Sequence, residues 1–156
     1  MLATALGVHF ASFGDYVRNE AHRLGLEDLS SRRLQDLGME IVARDIKGLC
    51  NAVLKEAGFV PGRGLVVDGI RHMGALKAIE ELAPTQSVKL VYIESLLTDR
   101  IKRSGLTAGG LQEIDSHAVE LDQSLLKSAA NIVVTTSVDV RTCFEDLHSW
   151  TVRSCA

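Results

Sequence analysis

Four short β-prone runs, "VHFAS", "GLVVDG", "SVKLVYIES" and "NIVVTT", are separated by longer stretches of helical character, and this alternation constrains the fold more than any other feature of the chain. Strands of four to eight residues that take turns with helices predict an α/β architecture in which the strands run parallel, because each helical connection carries the chain back before the next strand begins. The interiors of the strands are nearly continuous in apolar residues. That agrees with a parallel sheet covered by helices on both faces.

The helical segments carry their own punctuation. Met1 to Leu6 reads as the end of a helix, with Gly7 where a left-handed C-terminal residue often sits. Residues from about Asp15 to Leu24 have helical character. Ser30 or Ser31 could cap a longer helix whose apolar positions Leu34, Leu37, Ile41, Ile46, Leu49, Val53 and Leu54 recur broadly at helical spacing. Gly38 and Gly48 weaken that helix and leave its continuity open. "MGALKAIEEL", "LLTDRIKRSG" ending near Gly105, much of Leu111 to Ala130, and "VDVRTCFEDLHSW" complete the helices. With 156 residues and no repeat, low-complexity tract or linker, the expectation is a single α/β domain over 1–156, with about 104–130 as a lid or helical insert.

Composition narrows the function classes. A net charge of −3 argues against a non-specific polyanion binder, so no nucleic-acid partner is expected, although a local basic patch can still hold phosphate. Cys50, Cys143 and Cys155 are odd in number, widely spaced and without a C-x-x-C pair, which fits reduced thiols better than disulfides or zinc. The five histidines show neither H-x-x-x-H nor H-E-x-x-H spacing. No apolar run approaches the ~18 residues that span a bilayer. The apolar "MLATALGVHF" has no basic leader, so a cytoplasmic protein with no membrane partner is expected.

In open parallel sheets ligands bind beyond the carboxyl ends of the strands, and three groups of residues fall there. Ser12 closes "VHFAS", and Phe13, Gly14, Asp15 and Arg18 follow it; Asp68, Gly69 and Arg71 follow "GLVV"; Arg100, Lys102 and Arg103 lie one turn into the helix after "KLVYIES". They supply carboxylates able to hold hydrated Mg²⁺ and guanidiniums suited to two-pronged phosphate contacts. Phosphoryl transfer needs such parts, since it depends mostly on positioning and charge neutralisation. Each group also has a plainer reading: Asp68-Gly69 as a turn pair, Arg100 to Arg103 as a solvated helix face, Asp15 as a first-turn carboxylate favoured by the helix dipole.

"SFGDYVR" resembles the Ser-Thr-Gly-Asp-x-x-Arg segment with which nucleoside monophosphate kinases of the adenylate kinase type grip the acceptor nucleotide. "VVDGIR" is similar to their Asp-Gly-x-x-Arg strand end, with the arginine one residue earlier. "DRIKRSG" resembles their Arg-x-x-x-Arg segment at the base of the lid, at closer spacing, and "DSHAVELDQSLLKSAANIVVTT" looks like dephospho-coenzyme A kinase and related small P-loop kinases. The matches span roughly residues 1 to 136 in the family's order.

The resemblance implies a P-loop kinase-like fold and transfer of the ATP γ-phosphate, with Mg²⁺, to a small phosphorylated nucleotide or nucleoside-like acceptor. Carried over by position, Arg18 and Arg71 contact the acceptor phosphate, and Ser12, Gly14, Asp15 and Gly69 shape the acceptor loop. Asp68 lies near Mg²⁺ through water, and Arg100 and Arg103 reach the transferred phosphate. The chain departs from the family in lacking G-x-x-x-x-G-K-[ST], the motif whose backbone N–H groups and lysine hold the donor phosphates. By alignment "MLATALG" corresponds to the second half of the helix after that loop, so either the first strand and P-loop would lie upstream of Met1 or the chain is a natural P-loop-less relative. Weak or absent kinase activity is therefore expected of this polypeptide. The alternatives are a non-catalytic phosphometabolite-binding module and a homo-oligomer in which a partner fills the place of the missing strand.

Overall fold

The computed structural model describes residues 1–84, 87–105, 107, 120–136 and 140–155. The chain is mixed α/β and falls into two compact units, Ala3–Gln86 and Ser87–Ala156.

In the first unit, α1 (Leu2–Leu6) ends at Gly7, whose φ of 65° is the left-handed turn read from the sequence. β1 (His9–Ser12) leads directly into α2 (Phe13–Arg23). α3 (Ser31–Glu56) then carries the chain back to β2 (Leu65–Asp68), and α4 (Met73–Leu82) follows. The two-helix crossover makes the strands parallel, in the register His9↔Leu65, Phe10↔Val66, Ala11↔Val67 and Ser12↔Asp68.

The core of this unit is the seam between α3 and α4. Leu49, Cys50, Val53 and Leu54 on one helix meet Ala75, Leu76, Ala78 and Ile79 on the other, all buried. The alanines let the helices approach closely enough for the Cys50 thiol to face the Ala75 carbonyl at 3.7 Å. Charged pairs tie the rim: Lys47 Nζ donates to Glu81 at 2.7 Å, and Arg23 bridges Glu20 and Glu56, each at 2.5 Å. Such exposed pairs contribute little stability individually. Their value here is that they join α2 to the end of α3, and α3 to α4.

α3 is not one straight helix. Ser30 caps its start, its hydroxyl accepting from the Arg33 N–H at 3.4 Å, but at Asp45 the backbone leaves the helical region (φ −164°, ψ 88°). The Asp45 carboxylate then accepts from the Gly48 N–H at 2.8 Å. This is the bond an N-cap makes to the third residue of a helix, so Asp45 starts a second helical segment inside the first. Gly48 is part of the device, because a Cβ there would collide with the Asp45 carboxylate.

In the second unit β3 (Val91–Glu94) leads to α5 (Leu97–Ser104). α6 (Glu120–Ala129), β4 (Ile132–Thr135) and α7 (Val140–Cys155) complete it. β3 and β4 are parallel, from Val91↔Ile132 to Glu94↔Thr135. Asn131 closes one end of the pair, donating its N–H to Leu90 O at 2.8 Å and accepting from Leu90 N at 2.7 Å. The Ser95 and Thr136 hydroxyls meet at 2.6 Å at the other end. α5 ends at Gly105 with φ 67°, as its sequence implies. The helical reading of Leu111 to Ala130 is seen over Glu120–Ala129; residues 111–119, and with them much of the expected lid, lie outside the described residues. No helix among the described residues is long and apolar enough to cross a membrane.

Two outcomes follow from the α3–α4 seam. Replacing Asp45 by Ala removes a cap and is expected to cost about 1 kcal/mol. Gly48→Ala should give no helix-propensity gain in the natural sequence, yet stabilise the Asp45→Ala background by about 0.5–1 kcal/mol. Urea denaturation of the four proteins checks this coupling, and simple additivity would refute it.

Burial, assisted by the Asp45 carboxylate, pushes the Cys50 thiol up to about 11. Its folded form therefore keeps a proton that an unfolded thiol loses near pH 8.5. That contribution is complete below about pH 8.5 and disappears as the pH rises through about 11, a fall of roughly 3 kcal/mol. The Cys50→Ala variant should lose this slope, and the folded natural protein should leave Cys50 unreactive towards a disulfide reagent at pH 8.

Candidate functional site

The in-register pairing of β1 with β2 ends at Ser12 and Asp68, so a hydroxyl and a carboxylate sit side by side where both strands stop. Adjacent strands stand about 4.8 Å apart, and register partners in a parallel pair point to the same face. Two segments leave this edge, α2 from Ser12 and the turn at Gly69 from Asp68.

Ser12 has extended backbone and caps α2, its Oγ accepting from the Asp15 N–H at 3.2 Å. Asp15 in the first turn receives the Arg18 guanidinium from one turn later. The arginine thereby folds back along the helix towards its N-terminus. Both terminal guanidinium nitrogens and Ser12 Oγ stand 3.7 Å from where a Cβ on residue 14 would be, so glycine leaves the space between them open. Only one guanidinium nitrogen of Arg18 is engaged by Asp15. The side chain is about half exposed, so further donors face solvent beside the helix end.

The turn after β2 closes against the same place. Gly69 has φ 85°, a conformation that L side chains rarely adopt, and a Cβ on it would lie 3.5 Å from Phe13 Cβ and 3.7 Å from Gly14 N. Glycine at 69 therefore lets the chain turn over the first residues of α2. Asp68 itself is exposed. Arg71 is also exposed and lies three residues further on, just before α4, with His72 as the residue preceding that helix.

Ser12, Gly14, Asp15, Arg18, Asp68 and Gly69 are thus gathered at one sheet edge of the first unit, with Arg71 on the loop that leaves it. Arg100 and Arg103 lie on α5 of the second unit, where Arg100 is half-buried and Asp99 occupies the first turn of the helix. The capping role of Ser12 is the feature that residue types alone did not reveal. Its signal is a Ser at the boundary between a β-prone run and a helical one, with an acid three residues later.

The chemistry available at the edge is anion recognition. A helix N-terminus, a guanidinium folded over it and a second arginine nearby favour a phosphate or carboxylate. Among the described residues no three His, Cys, Asp or Glu converge to hold a metal. At this edge Asp68 is an exposed carboxylate, and the Ser12 hydroxyl beside it is taken up in capping α2.

Gly69→Ala is expected to destabilise the protein by about 1–2 kcal/mol, because it forces a Cβ into a left-handed turn packed on α2. Gly62, also at positive φ but with open space around it, should tolerate a Cβ at the lower end of that cost. Thermal melts of both alanine variants compare them, and equal shifts would remove the packing role assigned to Gly69.

No family model and no curated protein sequence matches the chain. The functional reading accordingly rests on the geometry of this strand edge and on the motifs that form it.

Proposed function

We propose that the chain is the acceptor-handling part of a P-loop kinase-like phosphotransferase domain, and that it binds the phosphate of a small nucleotide or nucleoside-like acceptor at the ends of β1 and β2. The observation that carries this reading is the Arg18 guanidinium, folded back beside Gly14 at the start of α2, over whose first residues the Gly69 turn packs. Arg18 would take the acceptor phosphate through the donors that Asp15 leaves open, with Asp15 holding the guanidinium in line. Arg71 would add a second positive charge from the loop. Asp68 is the residue that would hold hydrated Mg²⁺, and the bound ion would supply charge neutralisation at the phosphates. Arg100 and Arg103 enter as ligands of the transferred phosphate through the family resemblance alone.

The donor side does not fit in the same way. The sequence contains no G-x-x-x-x-G-K-[ST], so the chain offers ATP neither the backbone cradle nor the lysine that such enzymes use. Without that cradle the γ-phosphate is not positioned against the acceptor, and turnover with ATP is expected to be weak or absent.

A second reading, a non-catalytic or oligomeric phosphometabolite-binding module, is favoured by apolar residues left open on the strands. Phe10 is 52%, Ile93 59% and Val133 42% exposed, whereas strands in parallel sheets are usually covered on both faces.

Calorimetry with adenosine, guanosine, cytidine and uridine 5′-monophosphates, without ATP, tests the shared claim. At least one should bind, and Arg18→Ala should weaken it tenfold or more, the loss of about 1.5–3 kcal/mol expected for hydrogen bonds to a charged group. Absence of binding to all four, or equal affinity in the variant, would overturn the acceptor site. Ordinary turnover of ATP with an acceptor and Mg²⁺ would instead overturn the expectation of a deficient donor side.

A further inference from the structure

The two halves of α3 are anchored very differently. Between Ile46 and Glu56 the helix buries Leu49, Cys50, Val53 and Leu54. That half is further held by the Lys47–Glu81 and Arg23–Glu56 pairs. Ile46 itself packs on the start of α4, its Cδ1 lying 3.0 Å from where a Cβ on Gly74 would be. Between Ser31 and Arg44 Leu37 alone is fully buried, Leu34, Met39, Ile41 and Val42 are half-buried, and a Cβ on Gly38 would stand in ordinary contact range of Val17 on α2. A single residue, Asp45, joins the halves with non-helical backbone.

The joint has a chemical latch. While Asp45 is extended its carboxylate holds the Gly48 N–H; were Asp45 to become helical, it would have to give up that cap, and α3 would run straight. Gly48 admits the latched form because its missing Cβ leaves room for the carboxylate. Gly48 is helical in either form, so what it decides is whether the carboxylate has room to latch. An ordinary bend needs neither a cap nor a glycine opposite it.

We infer that α3 is a two-state arm: Ser31–Arg44 pivots at Asp45 between a latched bend and a collinear helix, while Ile46–Glu56 stays fixed in the core. The arm passes α2 near Val17, the neighbour of Arg18, since a Cβ on Gly38 would stand 3.8 Å from Val17 Cγ2, so its two positions offer the strand-edge site two surroundings. The pivot itself requires no ligand and stands whether or not the edge binds phosphate. It therefore goes beyond the proposed function.

Spin labels on cysteines introduced at Arg32 and Lys55, both exposed, measure the arm directly. Cys143 and Cys155 are replaced by Ser, and the buried Cys50 is kept. A straight helix separates the two positions by about 35 Å, at 1.5 Å per residue, and a bend shortens that distance. Pulsed electron–electron resonance on the full chain should show a principal short distance and a minor population near 35 Å. Gly48→Ala and Asp45→Ala should each enlarge the long population several-fold, and Asp45→Asn, which can still cap, should restore the short one. Hydrogen exchange at Leu49 to Leu54 should be unchanged in every variant. One common short distance in all four proteins means a rigid bend and overturns the inference. A shift that comes with lost protection at Leu49 to Leu54 means local unfolding, not a pivot, and overturns it equally.

Discussion

The parallel register that sets Ser12 beside Asp68 is the constraint on which the first unit depends. It makes two chain segments leave the sheet from neighbouring points, and both must then find room. α2 takes that room with a Ser cap and an acidic first turn, which suit a helix start chemically. The other segment can turn over α2 only with left-handed backbone at Gly69. A shift of one residue in the pairing would turn Ser12 and Asp68 to opposite faces.

Distance from this edge separates residues that can be varied from those that cannot. The α3–α4 seam, with Cys50 fully buried against the Ala75 carbonyl, has little room for added volume or charge. The exposed ion pairs are more permissive, since solvent screens them and long side chains lose freedom when they pair. The Arg18–Asp15 pair is exposed too, so its contribution to stability is small. Its significance is directional, because it holds a guanidinium along the helix where the side chain would otherwise range through solvent.

Much of this was legible in the sequence. The four β-prone runs are strands, the helices among the described residues lie within the stretches of helical character, and Gly7 and Gly105 end helices as left-handed residues. Apolar period and glycine punctuation are local signals, and local signals survive folding. The partition of the strands was not legible. "VHFAS" pairs with "GLVVDG", and "SVKLVYIES" with "NIVVTT", as two separate parallel pairs among the described residues. Parallel pairing is decided by contacts distant in sequence, and strand composition is the same whichever neighbour is chosen. The gathering of Ser12, Arg18, Asp68 and Gly69 was anticipated because strand ends in parallel sheets share an edge. The folding back of Arg18 onto the helix start was not, since it depends on a side-chain rotamer.

Asp45 shows why a strong periodic signal can hide a structural decision. The apolar spacing from Leu34 to Leu54 is good enough for one long helix, and within it Gly48 reads as a weak point of low propensity. The same glycine has the opposite meaning once Asp45 is extended, for it is the position that lets a carboxylate reach the third N–H of a new helix. A capping residue three positions before a glycine, inside an apolar pattern that does not break, is a pattern that propensity sums cannot detect. They weigh each residue against the helix, and never against the alternative in which the helix begins again. The balance at such a joint is between one cap and the backbone bonds of a continuous turn, terms of similar size. Of the two halves it joins, the one with a single fully buried side chain is the one inferred to pivot, and that half passes near the helix that carries Arg18.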